Sequence, residues 1–499
     1  MNKSVGLLLA AVALTGAAPN PRVDLAARIL PPPAKPSEAV QPFVKIPGGR
    51  ILLTHVRIVD GTGAAALDDR SILIEGGRIA AIGGPGAPVP SGARVIDLAG
   101  TTVLPGIVGM HDHMYYIARP DLDAEGHSDS PSPLVPQMTF SAPRLYLAAG
   151  VTTMRTTGSV EPYTDLNVKA QIDAGKIAGP HMDVTGPYLE GPNSPFIQMH
   201  QLRDADEARR TVAFWADQGA TSFKAYMNIS RAQLKAAIDE AHRRGLKLTG
   251  HLCSVTYPEA AALGIDDLEH GFWVNTQNDP GKKPDLCPAT VGGPTLAAME
   301  PDSPAGQALI RQLVQAKVAV TSTLPVFEPT SPAYRPLDPR QLAALSPEAR
   351  SDYLKLRALS ASSPPERIAA RAKLWANELL MERAFVRAGG LLIAGPDPTG
   401  AGNVLPGFGD VRAIELLTQA GFTPLEAIRI GTLNGATYLG LAHRIGSVAV
   451  GKNADLLIVR GDPSRRIEDL ENVEIVFKDG IGFDSRALFA SVMGRYGQY

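Results

Sequence analysis

The sequence predicts an α/β protein: a (β/α)8 TIM barrel with a small β-sandwich domain formed from both ends of the chain. Three observations predict it. Eight short apolar β-like runs alternate with helical segments through residues 105–444. Val- and Ile-rich runs closed by glycine fill residues 50–104 and return in 445–485. Histidines, a lysine and an aspartate stand at the ends of several of the eight runs, where a barrel of this kind carries its function.

The chain has 499 residues, a formal net charge of -2 and 44% hydrophobic residues. It is long enough to bury a large core and has no basic cluster to hold nucleic acid. Residues 1–18, MNKSVGLLLAAVALTGAA, place one lysine before an apolar stretch and small residues. That order is expected of a signal peptide, and with it a periplasmic or secreted location. No later apolar run is long enough to span a bilayer. Residues 19–49 include PPPAKPSEAVQP and read as an extended leader. Cys253 and Cys287 read as two unpaired buried thiols, with pairing left open in an oxidising compartment.

In 50–104 the runs ILLTHVRIVDG, SILIEGG, RIAAIGG and ARVIDLAG have strand composition, and ADLLIVRGD and VEIVFKDG answer them after Gly451. These are the two parts of the expected sandwich, and 486–499 is the C-terminal tail. His55, in the first strand, reads as structural.

Between them lie IVGMHDH, VTTMRTT (from Val151), HMDVTG (from His181), SFKAYM (from Ser222), KLTGHL (from Lys247), DDLEHG (from Asp266), VAVTSTL (from Val318) and LLIAGPD (from Leu391). Helical segments such as 204–218, 231–244 and 371–387, apolar at i, i+3 and i+4, separate most of them.

The chemistry starts in 101–114, TTVLPGIVGMHDHM. A Pro-Gly turn and an apolar run mark the start of a buried parallel strand. Read as that strand, His111 and His113 leave one face and can grip one ion, while Asp112 points the other way. Lys224 lies in strand four, His251 ends strand five, His270 ends strand six and Asp397 follows strand eight.

As they stand, H-D-H, F-K-A-Y, G-H-L, E-H-G and G-P-D resemble the metal-site signature of the amidohydrolase superfamily. The leading VDG sheet, LPGIVGMHDH, the TLNGATYLGL segment (432–441) and GSVAVGKNADLLIV extend the resemblance over nearly all of the mature chain. Within the superfamily the chain looks most like the branch of imidazolonepropionase-like proteins and metal-dependent Xaa-Pro dipeptidases.

The resemblance implies two divalent ions, with zinc expected and manganese, cobalt and iron also suited. His111 and His113 would hold one ion and His251 and His270 the other, with Lys224 bridging them as a carbamate, because an ammonium has no lone pair to give. Asp397 would bind the first ion and handle protons. Tyr226, two residues after Lys224, would contact substrate. The implied reaction is hydrolysis of a C–N amide bond in a small peptide or N-acyl amino acid by a hydroxide bridging the metals. One alternative is a mononuclear enzyme that opens a cyclic amide or amidine, with Lys224 unmodified; another is a catalytically silent binding homologue. The family also allows a homo-oligomer.

Two departures from the family pattern stand out. Strand eight reads AGPDPTG, with Pro396 directly before the acid, and strand three reads GPHMDV where related peptidases carry arginine. Long connections at 115–137, 275–303 and 325–367 read as binding loops. His127, His181, His200, His242 and His443 read as outside the site.

Overall fold

A computed structural model describes residues 22–118, 134–194, 196–331, 334–399 and 403–498. The expected signal peptide and His127 lie outside the described residues. In chain order the strands are β1 (Val44–Ile46), β2 (Ile51–Ile58), β3 (Leu67–Glu75), β4 (Arg78–Gly83), β5 (Arg94–Asp97) and β6 (Thr101–Pro105). The middle contributes β7 (Ile107–Gly109), β8 (Val151–Arg155), β9 (His181–Asp183), β10 (Ser222–Ala225), β11 (Lys247–Gly250), β12 (Asp267–Glu269), β13 (Ala319–Ser322) and β14 (Leu392–Ala394). The chain closes with β15 (Leu456–Arg460), β16 (Val473–Lys478) and β17 (Ile481–Asp484).

A β unit drawn from both chain ends is present, but it is one sheet. Nine strands run β1-β17-β16-β15-β6-β2-β3-β4, with β5 on β2. Apolar residues of both halves, among them Val56, Ile58, Ile72, Leu456, Ile458 and Phe477, share a single core. The sequence shows the alternation of buried positions, whereas the ladder between β6 and β15 that merges the halves is a long-range pairing.

The eight middle strands coincide with the eight runs. They pair in parallel as β7-β8-β9 and β10-β11-β12-β13-β14. Hydrogen bonds cross both gaps between these sheets: the Gly186 N–H donates to Ser222 O at 2.9 Å and the Met110 N–H to Ala394 O at 2.9 Å. Helices cover the outside. Ala205–Gln218 starts at Asp204, which caps the Glu207 N–H, and Arg231–Arg243 starts with a Ser230/Gln233 capping box. No helix among the described residues is long and apolar enough to cross a membrane.

Three further expectations change. The leader is built into the body: Asp24 caps a short helix, Leu25–Ile29, and Ile29 and Leu30 are buried with Val108 and Met110. Its proline-rich composition hid those apolar anchors. The tail is anchored too, because Tyr496 is fully buried and its ring meets Tyr116 edge-on at 5.6 Å. Finally, Cys253 and Cys287 form a disulfide, with Cα atoms 4.9 Å apart, because the connection after β12 folds back over the one after β11.

Candidate metal centre

Strand β7 stops at Gly109, so His111 and His113 sit on the segment just after it rather than within a strand. Their rings still converge, with centroids 5.2 Å apart. Asp397 lies between them, its Oδ1 3.1 Å from His113 Nε2 and 3.5 Å from His111 Nε2. These three residues offer ligand atoms that all lie within 4.8 Å of one another. Pro396 does not displace the acid. The Gly395 N–H donates to Ser322 O and the Asp397 N–H to His111 O, so the missing N–H falls between two bonds that are both kept. Gly395 itself is required here, since a Cβ would lie 2.2 Å from His111 N.

The other expected residues gather beside this group. Lys224 Nζ is 3.2 Å from His111 Nε2. The His270 ring is 4.7 Å from that of His111 and 4.4 Å from that of His251. His270 and Asp397 both have left-handed backbone, φ 68 and φ 54, a strained conformation for non-glycine residues that is common at functional sites. Tyr226 follows β10 and its ring stands 4.8 Å from His251.

Hydrogen-bond partners fix the tautomers. His111 Nδ1 donates to Glu269 Oε2 at 2.7 Å, which leaves the Nε2 lone pair facing Asp397 and Lys224. His113 Nδ1 donates to Thr156 O at 2.9 Å, since a carbonyl can only accept. Its Nε2 lone pair then faces a carboxylate oxygen at 3.1 Å, and two acceptors repel unless a cation lies between them. His270 Nε2 is buried without a hydrogen-bond partner. Imidazole nitrogens and a carboxylate suit zinc and its first-row neighbours, so the donor set fits a divalent ion.

The electrostatics agree. Burial pushes Asp397 upward, but the His111 and His113 rings and Lys224 outweigh it and hold the carboxyl well below the usual carboxylate range. Burial lowers His111, His113 and His270, and takes His251 down to about 3, which disfavours the charged form of each ring. Burial also lowers Lys224 to about 8.

Sequence reasoning missed what lies beneath. Arg155, at the end of β8 and fully buried, donates to Asp267 Oδ2 and Glu269 Oε1, both at 2.8 Å. Thr249 and Thr321 donate to the same two acids. The available signal was the pair Asp267 and Glu269, two acids on one face of a strand otherwise expected to be apolar. Tyr115 and Tyr188 were missed as well; their hydroxyls are 2.6 Å apart and Tyr115 stacks on His113. Of the histidines read as outside the site, His200 and His242 pair with Glu207 and Asp266 near the surface. Exposed His55 pairs with Asp97 at 3.1 Å. A cavity of about 510 Å3 lined by Leu145, Phe408, Arg335 and Arg486 contains none of the centre's residues. The converging ligand atoms, rather than volume, locate the site.

Residues 373–481, which include Asp397, match the family model described as the Amidohydrolase family. That match spans 109 of the 499 residues. Among curated proteins, a 59-residue stretch is 37% identical to a 5'-deoxyadenosine deaminase of Methanobrevibacter smithii, covering 12% of this chain and 14% of that protein. The chain thus spans only a small share of that relative. Two solved structures share this chain's fold over most of their length. A Xaa-Pro dipeptidase with bound methionine in its active site is 19% identical at a TM-score of 0.62, covering 87% of this chain and 100% of that one. A bottromycin amidohydrolase is 18% identical at a TM-score of 0.65, covering 93% and 96%.

Proposed function

We propose that this chain is a metal-dependent hydrolase of the amidohydrolase family that cleaves the amide bond of a small peptide or N-acyl amino acid. The observation that carries the reading is the His113 Nε2 lone pair facing Asp397 Oδ1 at 3.1 Å, with the imidazoles of His111, His251 and His270 and the Lys224 amine alongside. His111, His113 and Asp397 would hold one divalent ion, and His251 and His270 a second. When bound, the ions would polarise the substrate carbonyl and lower the pKa of water toward neutrality. Asp397 accepts the proton of the attacking water at its carboxylate and returns it to the leaving nitrogen. Lys224, lowered to about 8, is partly neutral amine near pH 7, the form that would add carbon dioxide and release a proton to give a carbamate able to supply oxygen ligands. The Tyr226 hydroxyl, whose ring stands beside His251, would bind the substrate carboxylate. The dipeptidase and bottromycin amidohydrolase neighbours support amide cleavage.

The hydrogen bonds across both gaps between the parallel sheets support a closed (β/α)8 barrel with the centre at the carboxyl ends of its strands. The disulfide supports export to an oxidising compartment.

A second reading keeps one ion. It is favoured by the Lys224 ammonium donating to His111 Nε2 and by the compact group of His111, His113 and Asp397. The substrate would then be a cyclic amide or amidine. Elemental mass spectrometry on protein expressed with zinc and bicarbonate separates the readings. Two ions per chain lost when His111, His113, His251 and His270 are replaced by alanine, with wild-type turnover of dipeptides or N-acyl amino acids, supports the first; one ion so lost, with turnover of cyclic amides, supports the second. No tightly held ion refutes both.

A further inference from the structure

His181 opens β9 at the amino end of the parallel strands, away from the histidine cluster at their carboxyl ends. There it meets two acids of the nine-stranded sheet. Asp455 precedes β15, and Asp479 sits in the turn between β16 and β17 with a left-handed φ of 53. His181 Nε2 lies 3.3 Å from Asp479 Oδ2. The Asp479 N–H donates to Asp455 Oδ1 at 2.7 Å, which locks the two acids together. The three side chains offer ligand atoms all within 4.8 Å of one another.

All three stand in or beside the buried seam, His181 at 1% exposure and Asp455 at 4%. Both ring nitrogens of His181 and Asp455 Oδ2 lack a hydrogen-bond partner. Buried polar atoms normally have one. A protonated imidazole would answer Asp479 through Nε2 but would leave Nδ1–H without an acceptor and Asp455 Oδ2 bare. Lys478 Nζ, 3.4 Å from Asp479 Oδ2, likewise leaves Asp455 unanswered.

We propose that His181, Asp455 and Asp479 form a second metal site, distinct from the catalytic centre, that takes a first-row divalent cation. One imidazole and two carboxylates form a mixed N/O set, which suits zinc, manganese or cobalt better than calcium or magnesium, whose sites are built from oxygen. Two carboxylates neutralise a divalent charge. A cavity of about 40 Å3, lined by His181, Asp479, Lys478 and Gly179, adjoins the group and has room for a water to complete the coordination shell. The ion's role is structural, fastening β9 to the turns of the sheet.

The direct test is anomalous diffraction. Crystals of the full wild-type chain are soaked in zinc chloride and measured on both sides of the zinc absorption edge. The proposal expects an anomalous peak bounded by His181, Asp455 and Asp479. Its absence overturns the proposal whatever the histidine cluster holds. In solution, His181→Gln and Asp479→Asn should each lose one zinc per chain relative to wild type, and should lose a zinc-dependent rise in Tm while keeping turnover. Unchanged zinc content and an unchanged Tm response in folded variants would refute it. Should both variants fail to fold, the wild-type diffraction result decides.

Discussion

Glu269 Oε2 accepts the Nδ1–H of His111 at 2.7 Å with both side chains fully buried, while its Oε1 accepts from Arg155 at 2.8 Å. One carboxylate therefore sets the tautomer of a proposed ligand and neutralises a buried guanidinium. Glu269→Gln should weaken metal affinity by roughly 10–100-fold, the range seen when such outer partners are lost. It should also destabilise the fold by about 3–5 kcal/mol, as when one partner of a buried ion pair is removed. Chelator competition and urea denaturation measure the two effects. Unchanged values in both would show that His111 is oriented by other contacts.

Asp397→Asn keeps the shape and removes the base. Turnover should fall by about 10²–10⁴-fold, the usual scale for losing a positioned acid–base group, while the far-UV spectrum stays that of the wild type. Turnover equal to wild type would remove Asp397 from the chemistry.

Tyr226→Phe tests substrate orientation, because the ring beside His251 is retained and only the hydroxyl is lost. We expect kcat/KM to drop about tenfold, the worth of one hydrogen bond to a charged group, on substrates with a free carboxylate. Amidated analogues should be unaffected. Equal losses on both would make the residue a wall of the barrel.

Burial pushes Asp410 and Glu382 up to about 7. In the unfolded chain such carboxyls lose their protons near 4. Between those pH values the folded state holds more protons than the unfolded state, so stability falls as pH rises from about 4 to about 7. Asp410 faces Asp112, whose carboxyl burial also pushes well up. Asp410→Asn removes one of the titrating groups and should flatten part of this slope, which denaturation at pH 5 and pH 8 reads out. A slope identical to wild type would place the titration elsewhere.

The disulfide joins residues 34 apart in sequence. In the chain-entropy model, closing a loop of that length stabilises by about 3–4 kcal/mol. Cys287→Ser should therefore lower Tm by several degrees, while a reductant should shift the wild type and leave the variant unmoved.

The eight strands and six of the proposed site residues were legible because each is written locally: an apolar run, then a histidine, lysine or aspartate at its end. Arg155 and Glu269 were not, since a buried charge is tolerable only beside partners supplied by other strands, and no spacing reveals those partners. Tyr188 gained its place from Tyr115, across a gap of 73 positions. Ile29 and Leu30 hid in a proline-rich stretch because composition records the average and burial depends on individual side chains. The merging of the two sheet halves was illegible for a related reason: strand pairing is set by register between segments far apart, here Thr101 with Arg460 and Pro105 with Leu456.

That last ladder bears on biogenesis. Strand β6 passes through Gly106 directly into β7 and on to His111 and His113, and the strand that hydrogen-bonds β6 along its whole length is β15. A chain emerging from a ribosome cannot complete the ladder that leads to His111 and His113 until residues 456–460 have followed. Metal capture at the proposed centre would thereby wait until nearly the whole chain has been made.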